Sequence, residues 1–375
     1  MPIGVELMKG KLVWLSAGGT GGHMFPAQAL SETLLANGWR VKLSTDIRGA
    51  RFLENFSPNI EINILPSATL FGGSILKRLV APWLIFKGSF SAIINFRRDR
   101  PCVLVGFGGY PTIPGLIAAV LLKIPIVIQE QNGVLGFVNR IFSSRAKILA
   151  CGVWPTKAPE KVNKIFTGNP VRLSIIKKAG SPYIPPGEYP MSILVIGGSQ
   201  GARILSKIVP RAFSLLPNSI LKNLRVSHQT RLEDSSHVKG MYEVLGVDAF
   251  VRPFFVDIES RYSEAQLIIS RAGASSLADI SIIGRPSILI PFSEALADHQ
   301  TANAKSLSDN GAAILIPEKN ASPEIIAKEM ENILMSPKLA QSMADKALRS
   351  SKPEAIKNLY DVVCSVYRSS KNDVS

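Results

Sequence analysis

The sequence predicts an α/β fold with two domains, each built around a parallel sheet. Short apolar runs alternate with helical patterns along the 375 residues, which is typical of parallel strands covered on both faces. A chain of this length exceeds what one hydrophobic core usually serves. Each half also opens with a strand, a glycine-rich turn and a helix. We therefore expect two Rossmann-like domains that face each other across a cleft.

The apolar runs predict the strands in chain order. In the first half they lie at residues 12–17, 41–45, 60–65, 103–106, 126–129 and 148–151, and in the second half at 192–196, 224–228, 249–253, 267–270 and 287–291. Five prolines in 168–190 predict an extended linker between the halves. The terminal segment has an apolar helical face formed by Ile356, Leu359, Tyr360, Val363, Val366 and Tyr367.

These elements predict the domain boundaries. We expect an N-terminal domain over 1–167, the linker over 168–190, a C-terminal domain over 191–350 and a terminal helix over 351–375.

The composition favours a globular protein of a reducing, cytoplasmic setting. Hydrophobic residues make up 46% of the chain, and its three cysteines lie too far apart in sequence to indicate a disulfide framework or a zinc site. The first 15 residues lack a signal-peptide pattern. The apolar stretch 113–128 is interrupted by Pro114, Lys123 and Pro125, so we expect no membrane span.

The net charge of +15 predicts attraction to polyanions. We find no aromatic RNA-binding pattern, zinc-finger spacing or helix-turn-helix signature, so a nucleic-acid partner is not expected. Between residues 70 and 100 apolar residues, including Trp83, alternate with the cations Lys77, Arg78, Lys87, Arg97, Arg98 and Arg100. This pattern suits a surface resting on anionic lipid, although core packing of the same apolar residues explains it equally well.

The first glycine-rich turn is GGTGGH at 18–23. It is not a dinucleotide fingerprint, because Met24 stands where the third glycine is required, and it is not a P-loop. A turn between a strand and a helix directs backbone N–H groups at one point and favours phosphate. The alternative is a tight turn whose glycines serve backbone geometry alone.

The second turn, GGSQGA at 197–202, formally contains the G-x-S-x-G pattern of a serine hydrolase. Ser199 would then be the nucleophile, and His228, His237 or His299 would supply the base. A phosphate-facing hydroxyl is the competing interpretation of Ser199.

Two further polar segments follow predicted strands. Residues 270–279, SRAGASSLAD, offer phosphate donors at a helix start, or else Ser276 and Asp279 form a capping box without any ligand. Residues 298–303 gather Asp298, His299, Gln300 and Asn303, which suits sugar hydroxyls but also an ordinary solvated loop. The sequence has no Asp-x-Asp pair and no closely spaced histidines, so we expect no metal site.

Seven motifs in order along residues 11–310 resemble the MurG family of glycosyltransferases. They are GGTGGH at 18–23, GFGGYPTIPG at 106–115, QEQN at 129–132, GNPVR at 168–172, GGSQGA at 197–202, RAGAS at 271–275 and HQTANA at 299–304. The resemblance implies the GT-B arrangement of two Rossmann-like domains, with the terminal helix returning to the N-terminal domain. Related GT-B transferases that act on diacylglycerol or other lipids are the nearest alternative.

The resemblance also implies an activity. Members of this family move N-acetylglucosamine from UDP-N-acetylglucosamine to the muramyl sugar of a lipid-linked pentapeptide, with inversion and without metal or cofactor. The reaction belongs to peptidoglycan synthesis at the cytoplasmic face of the cell inner membrane. The implied partners are therefore these two substrates, an anionic membrane surface and other cell-wall synthesis proteins.

Matching the motifs residue by residue implies a donor site in the second half of the chain. The Phe255 backbone is expected near uracil, and Asp279 on the ribose hydroxyls. The residues expected at the diphosphate are Ala274, Ser275, Ser276, Arg172 and Ser199. Those expected at the transferred sugar are Gln300, Asn132 and the backbone of Thr20, Gly21 and Gly22.

The acceptor diphosphate is expected at the N-terminal glycine loops. The residues implied there are Gly18, Gly19, His23, Gly108, Gly109 and Tyr110. His23 is the first candidate base for the acceptor hydroxyl, and Glu130 is the alternative. A hydrogen bond from His23 to the acceptor phosphate is an equally weighted role.

Two positions depart from the family pattern. Asp279 stands where the family usually has Glu, which shortens the carboxylate arm by one methylene. Gln129 stands where it usually has His, which removes an imidazole.

Overall fold

The computed structural model describes residues 10–68, 75–198 and 201–372. The chain divides into two compact units: an N-terminal unit of Met1–Val171 with Glu354–Ser375, and a C-terminal unit of Arg172–Pro353. Each unit contains one parallel sheet with helices connecting its strands. The predicted fold class of two α/β domains is therefore confirmed.

The N-terminal sheet has the strand order β3-β2-β1-β4-β5-β6-β7. Its strands are β1 (Leu12–Ser16), β2 (Arg40–Thr45), β3 (Glu61–Ile64), β4 (Val103–Gly106), β5 (Ile126–Glu130), β6 (Ile148–Cys151) and β7 (Lys164–Phe166). Alternate residues of β1 enter two different cores, Val13 and Leu15 on one side and Leu12 and Trp14 on the other. This two-sided burial explains why the strand is a continuous apolar run.

The connecting helices cover both faces of this sheet. They are α1 (Gly21–Ala36), α2 (Ile75–Arg98), α3 (Ile113–Leu121) and α4 (Phe137–Phe142). The chain also returns to this unit at its end, as α14 (Ala355–Asn372). The apolar face of α14 packs into the same core as Val13, with Leu359 and Val363 fully buried.

Helix α2 differs from the sequence prediction in one respect. The segment 113–128 is divided between α3 and β5, whereas Leu79–Arg98 within α2 is long and apolar enough to cross a membrane, with a mean hydropathy of 1.4. Yet one face of α2 is buried in the unit, through Ala81, Ala92 and Phe96. The packing is close there, because a Cβ on Gly88 would lie 2.1 Å from the carbonyl oxygen of Pro66.

The C-terminal sheet has the strand order β10-β9-β8-β11-β12-β13. Its strands are β8 (Met191–Ile196), β9 (Leu224–Gln229), β10 (Asp248–Arg252), β11 (Ala265–Ser270), β12 (Ser287–Leu289) and β13 (Ala313–Leu315). Its helices are α5 (Leu173–Ile176), α6 (Arg203–Phe213), α7 (Asn218–Leu221), α8 (Ser235–Val244), α9 (Ile258–Glu264), α10 (Ala274–Ile283), α11 (His299–Ser308), α12 (Pro323–Leu334) and α13 (Pro337–Arg349).

The proline-rich segment 168–190 is not extended throughout, because α5 forms within it. Buried Arg285 fixes part of this segment to the C-terminal unit by donating to the carbonyl oxygens of Ser181 and Pro182, each at 3.1 Å. The short strands β7 and β13 were not predicted. Each has three residues, too few for a distinct apolar run.

Candidate active site

Two glycine loops meet at the carboxyl edge of the N-terminal sheet. The GGTGGH loop follows β1 and the GFGGY loop follows β4, and these two strands are neighbours. The chain order reverses between them, since β1 is followed by β2 on one side and β4 lies on the other. Such a switch point is where ligands bind in open parallel sheets.

Buried Asp46, at the end of β2, connects these loops. Its Oδ1 accepts hydrogen bonds from the N–H groups of Gly19 at 3.2 Å and Gly49 at 2.9 Å. Its Oδ2 accepts one from the hydroxyl of Tyr110 at 2.6 Å. Burial and this carboxylate raise the pKa of Tyr110 to about 12, so its hydroxyl remains a donor at neutral pH. Sequence reasoning missed Asp46.

His23 lies in the first turn of α1, directly after the GGTGGH glycines. Its Nδ1 is 3.1 Å from the carbonyl oxygen of Gly18 and 3.3 Å from Oγ1 of Thr20. A carbonyl oxygen only accepts, so Nδ1 carries the proton and Nε2 keeps a free lone pair. Burial lowers the pKa of His23 below 6.5, although the nearby Glu130 carboxylate opposes the shift. The imidazole is therefore neutral at pH 7.

Glu130 ends β5 and is buried among four donors. Its Oε1 accepts from the backbone and side-chain nitrogens of Asn132 at 3.0 and 3.1 Å. Its Oε2 accepts from the N–H of Gly136 and from Nδ2 of Asn139, both at 2.9 Å. Both oxygens are engaged in organising the loop after β5, which leaves Glu130 less suited than His23 to accept a proton from substrate.

Gln129, where the family pattern has His, is part of a buried amide network. Its Nε2 donates to Oδ1 of Asn169 at 3.2 Å, and its Oε1 accepts from Nε2 of Gln131 at 2.5 Å. Asn169 in turn donates to the carbonyl oxygen of Gln131 at 2.8 Å. The side chain thus connects the loop after β5 to the GNPVR motif, a positional role that needs no imidazole.

The first turn of α10 presents backbone donors in the C-terminal unit. This helix begins at Ala274 with Gly273 as its N-cap, and no side chain caps it. The alternative that Ser276 and Asp279 form a capping box is therefore wrong, because Ser276 lies inside the helix. The N–H groups of Ala274, Ser275 and Ser276 have no partners within the helix, as at any helix start. They form an anion site if a phosphate is brought to them.

Asp279 lies one turn into α10, with Arg172 opposite. Asp279 is buried, and its Oδ2 is 3.8 Å from Nη2 of the exposed Arg172. Burial raises the pKa of Asp279 to about 7, against the opposing effect of Arg172. Arg172 thus carries an exposed cation near the helix start that holds the predicted diphosphate donors.

Gln300 connects the ends of two neighbouring strands. Its Oε1 accepts from the N–H groups of Ala272, after β11, at 3.2 Å and Phe292, after β12, at 3.0 Å. In the described part of the chain its Nε2 makes no hydrogen bond, so it is available to donate to a hydroxyl.

Arg271, directly after β11, also connects the ends of β11 and β12. It donates to the carbonyl oxygens of Ile290 and Pro291, each at 3.1 Å, and pairs with Glu318 at 2.7 Å. Sequence reasoning quoted the RAGAS motif but assigned no role to this arginine.

Phe255 lies in the loop between β10 and α9. Its side chain is buried and stacks on Phe250, with ring centroids 6.0 Å apart, and the Arg261 guanidinium lies 4.5 Å above its ring. Helix α9, which carries the buried Tyr262, packs against α10. The buried ring fixes the backbone that the resemblance places near uracil.

The hydrolase alternative depends on Ser199, which lies outside the described residues. Of its possible partners, His228 is fully buried, with Nδ1 3.0 Å from the Tyr242 hydroxyl, and burial lowers its pKa to about 3. This is a core histidine. Among the described residues no group of three His, Cys, Asp or Glu side chains is arranged to hold a metal ion.

Comparisons with known proteins cover both units. The Glycosyltransferase family 28 N-terminal domain matches residues 13–150, and the Glycosyltransferase family 28 C-terminal domain matches residues 192–359. The crystal structure of Acinetobacter baumannii MurG is 32% identical in sequence, with a TM-score of 0.78 over 94% of this chain and 98% of that one.

Two curated relatives carry one printed name, UDP-N-acetylglucosamine–N-acetylmuramyl-(pentapeptide) pyrophosphoryl-undecaprenol N-acetylglucosamine transferase. The protein from Chelativorans sp. (strain BNC1) is 43% identical over 361 residues, 95% of each chain. The protein from Rhizobium meliloti (strain 1021) is 43% identical over 350 residues, 93% of each chain. These similarities do not favour the hydrolase alternative.

Proposed function

Because the chain belongs to the MurG family of glycosyltransferases, we propose that it transfers N-acetylglucosamine from UDP-N-acetylglucosamine to the muramyl sugar of a lipid-linked pentapeptide. This reaction completes the disaccharide of the peptidoglycan precursor. The observation that carries the proposal is the 43% identity to transferases of this name over 95% of both chains.

The donor nucleotide is assigned to the C-terminal unit. Backbone N–H groups at the start of α10, together with Arg172, would hold the diphosphate. Asp279 would accept hydrogen bonds from the ribose hydroxyls, and Nε2 of Gln300 would donate to the transferred sugar. Ser199 keeps its predicted phosphate contact, and the Phe255 backbone its place near uracil.

The acceptor is assigned to the carboxyl edge of the N-terminal sheet. The N–H groups of Gly21 and Gly22 in the first turn of α1 have no helical partners, and with Thr20 they would donate to the transferred sugar beside the acceptor. The N–H of Gly19 is already bonded to Asp46, so Gly19 would shape the loop rather than bind. Gly18, Gly108, Gly109 and Tyr110 keep their predicted places at the acceptor, and Asn132 keeps its predicted place at the transferred sugar.

The reaction then needs a base and a stabilised leaving group. Nε2 of His23 would take the proton from the acceptor hydroxyl as that oxygen attacks the anomeric carbon, opposite the departing UDP. The configuration at that carbon inverts. Charge develops on the leaving diphosphate, where the α10 N–H groups and Arg172 would stabilise it without a metal ion. Glu130 would act by organising the loop after β5.

The direct test measures transfer of labelled N-acetylglucosamine from its UDP donor to a lipid-linked muramyl pentapeptide analogue in the presence of EDTA. We expect a labelled disaccharide product with the β-anomeric linkage that inversion requires. Absence of transfer would contradict the proposed function. Transfer that disappears with EDTA would contradict only its metal-independent part.

We also propose that the enzyme binds the cytoplasmic membrane surface through α2. Along the helix face opposite its buried one, Leu79, Trp83, Phe86 and Phe90 are 72%, 64%, 61% and 59% exposed. Lys87, Arg97 and Arg98 are exposed on the same helix. The side chains of Lys77 and Arg78 lie outside the described residues. Exposed aromatic side chains next to cations suit the headgroup region of anionic lipid.

A binding assay with vesicles of anionic lipid tests this face. Trp83→Ser with Phe86→Ser, and separately Lys87→Glu with charge reversal of Lys77 and Arg78, should each reduce the bound fraction several-fold. Val244 and Leu215, which are 89% and 51% exposed in the C-terminal unit, provide a matched control when both are changed to Ser. Equal binding by all variants would contradict the membrane assignment.

A further inference from the structure

We propose that Asp46 is a positioning residue for the base, acting on His23 through the peptide group that joins Gly18 to Gly19. This inference rests on the proposed function, because it assumes that His23 accepts the proton. No motif that predicted the active site includes Asp46.

The geometry is a chain of two hydrogen bonds through one peptide group. The N–H of Gly19 donates to Oδ1 of Asp46 at 3.2 Å. The carbonyl oxygen on the other side of that peptide, belonging to Gly18, accepts from Nδ1 of His23 at 3.1 Å. A carboxylate on the N–H end of a peptide polarises the carbonyl end and makes it a better acceptor. Asp46 therefore favours the tautomer in which Nε2 of His23 is free.

Close packing keeps this peptide in place. A Cβ on Gly18 would lie 2.8 Å from Oδ1 of Asp46 and 2.7 Å from the Cβ of Pro111. A Cβ on Gly49 would lie 3.1 Å from the Cα of Gly18. The side of the Gly18–Gly19 peptide that faces Asp46 thus has no room for a larger residue, and its orientation is set by the carboxylate.

Asp46 also orients the second glycine loop. Its Oδ2 holds the Tyr110 hydroxyl at 2.6 Å, and the backbone just before Tyr110 approaches His23 closely. A Cβ on Gly109 would lie 3.4 Å from Cε1 of His23 and 3.3 Å from the carbonyl oxygen of Gly18. One buried carboxylate at the end of β2 therefore places groups from the loops after β1 and β4 around the same imidazole.

The charged and titratable groups facing His23 come from several elements. Glu130 lies on β5, Asp46 at the end of β2 and Tyr110 after β4, and Arg48 lies near Tyr110. Replacing the Asp46 carboxylate by an amide removes one negative charge from this set. The Gly18 carbonyl oxygen, whose peptide then no longer donates to a charged group, accepts more weakly from Nδ1 of His23. Because that hydrogen bond raises the pKa of His23, the pKa should fall further.

The test uses the full-length enzyme and the variant Asp46→Asn. We expect kcat to fall about tenfold, as for loss of a hydrogen bond to a charged group, with KM for UDP-N-acetylglucosamine unchanged. The acid limb of the kcat profile should move to lower pH. A structural role alone would lower stability without moving that limb.

A matched control separates positioning from destabilisation. Ser44→Ala removes a buried hydrogen bond of 3.0 Å between Ser44 on β2 and Oγ of Ser16 on β1, and it leaves the glycine loops unchanged. It should lower the melting temperature while leaving kcat and its pH profile unchanged. Tyr110→Phe removes only the Oδ2 bond and should leave the acid limb in place.

Nitrogen-15 NMR of the imidazoles provides a readout that needs no turnover. The His23 signals, assigned by their loss in His23→Ala, should show a protonated Nδ1 and a free Nε2 in the wild-type enzyme. In Asp46→Asn this tautomer preference should weaken. A wild-type His23 protonated at Nε2, or an Asp46→Asn variant with wild-type kcat and His23 titration, would overturn the inference. Absence of wild-type transfer would instead contradict the proposed function.

Discussion

The two units use the same strand, glycine loop and helix, but they support their loops with side chains of different charge. In the N-terminal unit buried carboxylates accept the loop N–H groups, Asp46 from Gly19 and Glu130 from Gly136. In the C-terminal unit neutral amides accept the N–H groups that directly follow β8 and β11, as Gln300 does from Ala272, while the Glu318 carboxylate accepts only further along, from Ser293. Gln229 likewise accepts from the N–H of Gly197 at 3.2 Å, and an arginine supports the strand ends.

This difference bears on which loop attracts an anion. A buried carboxylate offsets the positive potential of the helix start next to it, whereas a neutral amide does not. The carboxylate nearest the start of α10 is Asp279, and its raised pKa of about 7 and the Arg172 guanidinium 3.8 Å away reduce its opposing charge. The C-terminal loops, with Arg172 exposed nearby, are therefore the stronger diphosphate site. Glycine content alone does not distinguish the two loops, because the supporting side chains set the charge.

The largest expected effect concerns His23 of the N-terminal unit, the proposed base. His23→Ala should lower kcat about a thousandfold, because general base catalysis contributes roughly 10²–10⁴-fold, while KM for the acceptor stays near its wild-type value. Steady-state kinetics with both substrates measure this. The exposed His237 on α8 provides a matched control, and His237→Ala should retain full activity. Weaker acceptor binding with only a modest loss of kcat would assign His23 to the acceptor phosphate instead.

The arginine that supports the C-terminal loops should matter mainly for stability. Arg271→Met leaves the partly buried Glu318 carboxylate without its ion-pair partner at 2.7 Å, and breaking a pair whose arginine is buried costs about 3 kcal/mol. Urea unfolding of the variant measures this loss. Lys239→Met, which breaks an exposed pair with Glu243 on α8, should change the free energy of unfolding by less than about 0.5 kcal/mol. Equal losses in the two variants would show that Arg271 is not supporting the loops.

Arg172, the exposed cation beside Asp279 of α10, should affect nucleotide affinity. Arg172→Ala should raise the Kd for UDP about tenfold, because one charge-assisted contact to phosphate is lost. Arg225, an exposed arginine on β9 that lies 3.9 Å from Asp248, is the matched control. Calorimetric titration of UDP into Arg172→Ala and Arg225→Ala distinguishes the two explanations. A specific contact predicts weaker binding only in Arg172→Ala, whereas a general effect of net charge predicts the same small change in both variants.

The smallest effect is a pH dependence in the same unit. The pKa of Asp279 is raised to about 7, so this side chain gains a proton and loses an acceptor as pH falls through 7. Affinity for UDP-N-acetylglucosamine should fall by a few-fold between pH 8 and about pH 6. Its diphosphate is a diester and does not titrate in this range. Asp279→Asn should abolish the dependence, and a persistent slope would assign it to another group.

The helices and strands were largely predictable from the sequence, because each leaves its pattern in a short, continuous stretch of residues. Strands such as β4 and β6 are buried on both faces, so each is a continuous apolar run with the predicted bounds. The support of the loops was not predictable. Asp46 is 27 residues from Gly19 and 64 from Tyr110 in sequence, and the pairing of β1 with both β2 and β4 brings the three residues together.

The motif residues were found because their types and order resemble a family, but their roles required the structure. Ser276 and Asp279 suited a capping box equally well until the helix start at Ala274 was known. Glu130 and His23 were both candidate bases in sequence. Their hydrogen bonds separate them, since both Glu130 oxygens accept bonds from the protein while Nδ1 of His23 is held by Gly18.

Hydrogen exchange of the full-length protein with and without saturating UDP tests most directly which unit holds the nucleotide. UDP lacks the N-acetylglucosamine group, so any contact of that group with the GGTGGH loop does not contribute to the measured protection. We predict slower exchange in peptides spanning 253–257 and 271–279, and unchanged exchange in the peptide spanning 17–24. Protection of 17–24 without protection of 271–279 would place the nucleotide in the N-terminal unit and contradict this account.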